Sequence, residues 1–285
     1  MKILFCTDGS NTSYNAINNF SNWTNSITVD ILSAIDWSFL PDTASVEDSE
    51  FALKCTNSAQ SILDKAEAFL LENSIAVGKK IKMCGSAVDC IFETCENNHY
   101  DYIVLGSNGK KGIQKWLGSV SQEIASISKV STFISKDTKK AQSVLFALDS
   151  SDVTKNVVKK AISQLDLADK IINLVTVFEI PDYLFLEGNL DENWVRDIST
   201  KQEKFSMMLL SDFEKMFNEN NLNINSKTVL SGNPSTSIIN YADKNEIDLI
   251  ICGVRNRKFL SKMLLSSVSK RILENSKSDV LIIRP

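Results

Sequence analysis

The residues that could do chemistry cluster in the stretch 101–121, DYIVLGSNGKKGIQKWLGSVS. Its apolar run 102–105 reads as a buried strand. Gly106, Ser107, Asn108 and Gly109 follow as a row of small residues. A basic, partly apolar segment comes next, and Gly118-Ser119 then opens a run with helical spacing over 120–128. A strand, a glycine loop and a helix start together make an anion site. Glycines let backbone N–H groups approach a phosphate, and a helix N-terminus offers unpaired N–H groups with a partial positive charge. Ser119 can add a hydroxyl donor. The chemistry expected of this stretch is phosphate binding, against the plainer alternative of a surface loop that caps a helix.

Other reactive side chains point elsewhere less well. The six cysteines are Cys6, Cys55, Cys84, Cys90, Cys95 and Cys252, and no two form a C-x-x-C pair. Buried thiols rather than disulfides are expected of them. Cys90, Cys95 and His99 lie close in sequence but fit no structural zinc spacing, and His99 is the only histidine. No G-x4-G-K-[ST] motif is present and no histidine is placed as a base, so an enzyme is not expected. The formal charge of −4 gives no global field for nucleic acid or an acidic membrane. No apolar run reaches the ~18–20 residues of a membrane span, and the start MKILFCTDGS lacks a signal-peptide pattern. The expected setting is cytoplasmic.

The elements that must position the loop are visible through an internal repeat. KILFCTDG (2–9) matches QSVLFALD (142–149), DYIVLG (101–106) matches DLIICG (248–253), and SVSQEIASISKVSTFI (119–134) matches SVSKRILENSKSDVLI (267–282). Two copies of one domain are expected, at 1–136 and 142–285, joined by the lysine-rich linker 136–142. In the first copy, strands are expected at 3–7, 27–35, 81–84, 102–105 and 131–134, with helices at 11–22, 50–72, 87–97 and 119–128. In the second, strands are expected at 144–148, 171–178, 223–230, 249–252 and 280–283. Its helices fall at about 152–165, 198–218, 234–245 and 264–275, and an insertion-like loop at 179–196 carries Pro181 and several aromatics. Apolar strands alternating with amphipathic helices imply a parallel sheet covered on both faces.

With these residues in view, the chain resembles a tandem universal stress protein over essentially its whole length. Nucleotide-binding members of that family carry G-x2-G-x9-G-[ST] after the fourth strand and an aspartate at the end of the first. The first copy has Gly106-x2-Gly109, eight residues, then Gly118-Ser119-Val120, with Asp8 at the aspartate position. The resemblance implies an α/β fold of two tandem Rossmann-like domains, each a five-stranded parallel open sheet with helices on both faces. It implies ATP as ligand, with magnesium left open. Asp8 would accept from ribose hydroxyls, the backbone of Ala34 would meet adenine, and Gly106, Gly109, Gly118, Ser119 and Val120 would hold the phosphates. Lys110 and Lys111 could add charge, and Trp116 is expected to pack on the neighbouring helix.

The second copy keeps Asp149 but has Gly253-Val254-Arg255-Asn256, nine residues, then Ser266-Ser267. Side chains at Asn256 and Ser266 are expected to crowd a phosphate, so ATP should bind mainly in the first copy. The resemblance thus implies a stress-response regulatory protein that binds adenine nucleotide. The alternative is an interaction scaffold that binds none and acts on protein partners. An adenylating ligase would need SGGxDS or HIGH, and neither is present. The two domains are expected to pack as an intramolecular pseudo-dimer through their last strands, with a homodimer of chains left open.

Overall fold

The computed structural model of the protein describes residues 1–36, 50–107, 117–136, 140–180, 192–254 and 265–285. For 50–55, 192, 193 and 195 the description stops at the backbone. The chain divides into two compact units, Met1–Lys139 and Lys140–Pro285, with the boundary inside the expected linker.

The first unit runs β1 (Lys2–Cys6), α1 (Asn11–Ser21), β2 (Thr28–Ile35), α2 (Glu50–Glu72), β3 (Ala76–Cys84), α3 (Ala87–Asn97), β4 (Tyr102–Gly106), α4 (Ser119–Ile127) and β5 (Ser131–Ser135). Its strands lie in the order β3-β2-β1-β4-β5, and every pair is parallel. The central strands read KILFC and YIVLG because they are buried on both faces. Right-handed crossovers put α1 and α2 on one face and α3 and α4 on the other. Tyr14 of α1 meets Phe69 of α2 with ring centroids 5.1 Å apart, and α3 packs beside α4. Phe20 joins α1 to the sheet through Tyr102 and Phe133, at 5.2 and 5.1 Å.

The second unit repeats the plan: β6 (Ser143–Leu148), α5 (Asp152–Gln164), β7 (Ile171–Phe178), α6 (Glu192–Asn218), β8 (Ile224–Ser231), α7 (Pro234–Lys244), β9 (Leu249–Gly253), α8 (Ser267–Asn275) and β10 (Asp279–Ile283). The order is β8-β7-β6-β9-β10, again all parallel. Equivalent carboxylates tie the strand starts: Asp101 Oδ2 accepts from Lys2 N at 2.8 Å, and Asp248 Oδ2 from Ser143 N at 2.9 Å.

Three boundaries differ from the sequence reading. β3 starts at Ala76 rather than 81. Its first half, AVGKK, is polar because β3 lies at the side of the unit's strand order, where Lys80 pairs with Asp64 and Glu67 of α2. α6 starts at Glu192 rather than 198. α8 starts at Ser267 rather than 264, because Ser266 caps it. The cysteines also differ in part: Cys6, Cys90 and Cys252 are buried, Cys95 is half-buried and Cys84 is exposed.

One buried charge shapes the first sheet. Asp30 in β2 is 1% exposed. It accepts from Lys79 N at 2.8 Å and Tyr100 Oη at 2.9 Å and pairs with Lys2 Nζ at 3.0 Å. A side chain at Gly78 would overlap Asp30 Oδ1, so the glycine in β3 makes room for the carboxylate where the β2–β3 register shifts. Burial pushes the Asp30 carboxyl up, but the Lys79 N–H, Lys2 and Tyr100 together hold it below the usual carboxylate range.

Candidate functional site

In the order β3-β2-β1-β4-β5 the chain reverses direction between β1 and β4. Open parallel sheets bind ligands in the crevice beyond the strand ends at that point. There the first unit has a cavity of about 240 Å³. Its floor is apolar: Cys6, Leu32, Ala34, Ala87, Ile91 and Leu105. Its rim is polar: Thr7, Asp8, Ser13, Gly106 and the start of α4, Gly118 to Ser121. The structure therefore brings together six of the expected site residues: Asp8, Ala34, Gly106, Gly118, Ser119 and Val120. Gly109 lies outside the described residues, as do Lys110, Lys111 and Trp116.

Asp8 is exposed at the mouth, two residues past the end of β1. Its Oδ1 accepts from Ser10 N at 3.0 Å, which fixes the turn into α1. Ser10 in turn caps α1, its side chain accepting from Ser13 N. Ala34 owes its place to strand register. Leu32 C=O accepts from Thr7 N, and Ile35 C=O accepts from Gly85 N beyond β3. Strand groups alternate in direction, so Ala34 turns its N–H and C=O toward the β1 side, where β1 has already ended. Its backbone is thus presented to the cavity.

The glycines have separate reasons. A Cβ at Gly106 would lie 2.9 Å from Thr12 O, 3.0 Å from Thr12 C and 3.1 Å from Ser13 N. Gly106 is bare so that the first turn of α1 can rest on β4. Its role in the site is indirect: it sets the distance between that turn and the β4 end. Gly118 has φ −64 and ψ 147, a conformation open to any residue. What Gly118 does is leave α4 without a side-chain cap. Ser121 donates its hydroxyl to Gly106 C=O at 2.7 Å. The backbone N–H groups of Ser119, Val120 and Ser121 have no partner among the described residues. Three helix N–H groups and the Ser119 hydroxyl therefore point at the cavity rim as donors. Cys6 is no nucleophile here, since burial, and then the neighbouring Cys95, push its thiol well up.

The second unit has the counterpart cavity, about 530 Å³, lined by equivalents in nearly one-to-one order. Asp149, Val177, Gly253, Ser266 and Ser267 stand where Asp8, Ala34, Gly106, Gly118 and Ser119 stand. Ser266 does more than the crowding expected of it. Its side chain accepts from Ser269 N at 3.0 Å and caps α8. One of the three N–H groups that α4 leaves open is thus already satisfied in α8. Asn256 lies outside the described residues. The cap could have been found from sequence, since serine three residues before Ser269 at a helix start is an N-cap pattern.

Comparison with known proteins agrees with the repeat. The family described as "Universal stress protein family" matches residues 1–136 and again 140–284. Universal stress protein MJ0531 of Methanocaldococcus jannaschii is 26% identical over 141 residues, which are 50% of this chain and 81% of that protein. Universal stress protein Slr1230 of Synechocystis sp. is 23% identical over 229 residues, 79% of this chain and 72% of that protein. The crystal structure of a universal stress protein from Archaeoglobus fulgidus is similar in fold, with a TM-score of 0.72 at 20% identity, covering 100% of this chain and 98% of that one. Two matches of one family, laid end to end over a repeated strand order, place the chain in the universal stress protein family as a tandem member.

Proposed function

We propose that the protein is a stress-response regulator that binds ATP in its first copy and does no chemistry on it. The observation that carries this reading is the uncapped start of α4 facing a cavity with an apolar floor. An adenine ring suits the floor of Leu32, Ala34, Ala87 and Ile91. Ribose hydroxyls suit Asp8, an acceptor at a strand end. Phosphates suit the three open N–H groups of α4. The cavity is smaller than the ~300–1,000 Å³ usual for ligand pockets, in keeping with phosphates that lie at an open helix end. Among the described residues lining it there is no histidine, lysine or arginine to serve as acid or base.

Calorimetric titration with ATP, with and without magnesium, tests the reading. One site per chain is expected, weakened at least about tenfold by Asp8→Ala, the loss of one charge-assisted contact. No binding in the intact chain would overturn it.

The second reading is a scaffold without nucleotide. The exposed apolar side chains Trp194, Phe205 and Met208 of α6 favour a surface for protein partners. Denaturing the purified protein and looking for released adenine nucleotide separates the two readings.

A further inference from the structure

Helix α6 buries one stripe and leaves another open. Ser206, Leu210, Phe213 and Phe217 stand at helical spacing and are buried. Phe217 meets Phe146 of β6 with ring centroids 5.0 Å apart, so this stripe faces the sheet. A second stripe runs through Lys201, Phe205, Met208 and Asp212, spaced by four, three and four residues. Phe205 is 56% exposed and Met208 67%, and the Lys201 and Asp212 side chains are exposed beside them. Leu209 and Met216 carry the apolar surface into a groove of about 250 Å³, whose other wall is Ser150 and Lys155 at the start of α5.

The fold does not ask for these apolar residues. In the first unit α2 buries Ala59, Leu63, Ala66 and Leu70, which match the buried positions of α6 one for one. In that register Ser58, Ser61 and Lys65 stand where Phe205, Met208 and Asp212 stand, and all three are exposed. The same helix on the same kind of sheet thus keeps a polar outer stripe in one copy and an apolar one in the other. A contiguous apolar surface of this sort marks a contact with another molecule.

The order of residues along the stripe names that molecule. From Lys201 to Asp212 it reads cation, apolar, apolar, anion, and turned end for end it meets its own complement. The four-three-four spacing is that of a seam between paired helices. In two α6 helices packed antiparallel, centred between positions 206 and 207, Phe205 lies opposite Met208 of the other chain and Lys201 opposite Asp212. A two-fold axis makes each contact twice. The next layer sets Ile198 against the apolar stem of Lys215. Within one chain Lys201 pairs with Asp197 at 2.6 Å and Asp212 with Lys215 at 2.9 Å. Exposed pairs of this kind are worth little, so turning to the other chain costs little. The helix carries five acidic and four basic residues, so it lacks the basic face that would mark it for an acidic membrane.

We infer that two chains associate through α6, antiparallel about a two-fold axis, with Phe205 and Met208 interlocked at the centre and Lys201–Asp212 pairs at both ends. The face is the one that the scaffold reading offers to protein partners, and its occupant here is a second molecule of this protein. Nucleotide found or not found in the purified chain does not bear on it.

Sedimentation equilibrium of the full chain tests it. The weight-average mass is expected to rise toward twice the 31.7 kDa of one chain as the concentration is raised through about 1–100 μM. Met208→Glu is expected to weaken the association at least about tenfold, since the charge enters the centre of the contact twice. Ser61→Glu, at the matching place on α2, is expected to leave it unchanged. Thermal melts establish that the variants fold, and Phe205→Glu serves if Met208→Glu does not. Lys201→Glu and Asp212→Lys each set like charges against one another at both ends, and each is expected to weaken self-association about tenfold. Mixed in equal amounts, the two variants are expected to pair as strongly as the parent chain, because each brings the charge that the other lacks. A chain that stays monomeric at about 100 μM would overturn the inference. So would a dimer that Met208→Glu leaves intact, or a mixture of the two charge variants that associates no better than either alone.

Discussion

Gly106→Ala separates two reasons for a glycine after β4. If the residue is bare to admit a phosphate, alanine should cost binding and leave stability alone. The structure gives the other reason. The added methyl would lie 2.9 Å from Thr12 O, 3.0 Å from Thr12 C and 3.1 Å from Ser13 N, all atoms of the α1 backbone. Backbone cannot rotate aside, so the first turn of α1 must shift as a body, against the packing of Phe20 on Tyr102 and Phe133. Overpacking of this kind costs about 1–3 kcal/mol. For a unit of this size that is a fall in melting temperature of very roughly 3–15 °C. The counterpart Gly253→Ala is an internal control. Its methyl would meet Val157 Cγ2 at 3.0 Å and Val153 Cγ1 at 3.9 Å, both side-chain atoms. A side chain can give way, so the loss there should stay under about 1 kcal/mol. Calorimetric melts of the two variants beside the parent chain measure the difference. Equal stabilities for Gly106→Ala and the parent, with ATP binding lost, would refute the packing account and return the glycine to the phosphate.

Other outcomes follow from the same contacts. Gly118→Ser copies the Ser266 cap into α4; ATP affinity measured by calorimetry should fall at least about tenfold, because the serine occupies Ser121 N, and stability should change by only a few tenths of a kcal/mol. Asp30→Ala leaves Tyr100 Oη and Lys79 N without their acceptor and should cost about 2–3 kcal/mol in denaturant unfolding, while Asp30→Asn, the residue type that Asn173 supplies in the second copy, should cost less. The Asp30 carboxyl is held low in the folded state, so its contribution is present above the ordinary aspartate range near pH ~4 and fades as pH falls through the lowered folded value. The stability gap between the parent chain and Asp30→Asn should therefore be full at pH 7 and close below about pH 4, and a gap that does not change with pH would contradict the assignment.

Much of this was open to a reader of the sequence, for reasons that are local. β1, β4, β6 and β9 are short apolar runs buried on both faces, and such runs announce themselves. The repeat showed because each copy keeps the SVS start of its last helix, where Ser121 and Ser269 both reach back to a strand-end glycine carbonyl. β3 was half hidden because its order comes from pairing with β2 and from ion pairs to α2, not from apolar content. Asp30 went unread since a lone aspartate in TVDILSAI looks like a break in a strand; the partner that makes room for it, Gly78, is 48 residues away in β3. The glycines of the loop were read for what they let in. Two of them are better explained by what they keep apart or leave undone: Gly106 spaces α1 from β4, and Gly118 withholds a cap.

That last point extends to every helix start around the two cavities. In the second copy α5, α7 and α8 are all capped by side chains: Ser151 accepts from Thr154 N, Asn233 from Thr236 N and Ser266 from Ser269 N. In the first copy, among the helix starts whose caps are described, α1 is capped through Ser10, while α3 begins at Ser86 and α4 at Gly118 with no side-chain cap bond. A side-chain cap bond is worth about 0.5–2 kcal/mol, but only a few tenths against a glycine at the same position, so the first copy forgoes roughly 1–2 kcal/mol at the two helix ends that border its cavity, most of it at α3. A ligand that supplies acceptors to those ends restores what the sequence leaves out, and it stabilises the folded state by mass action as well. Hydrogen exchange tests this at single amides. Without ligand, the amides of Asp89 and Ser121 should exchange faster than those of Thr236 and Ser269, their capped counterparts. Saturating ATP should slow Ser121 at least about tenfold and leave Ser269 as it was. Protection of Ser121 that ATP does not alter would mean that the open start of α4 is not where the phosphates go.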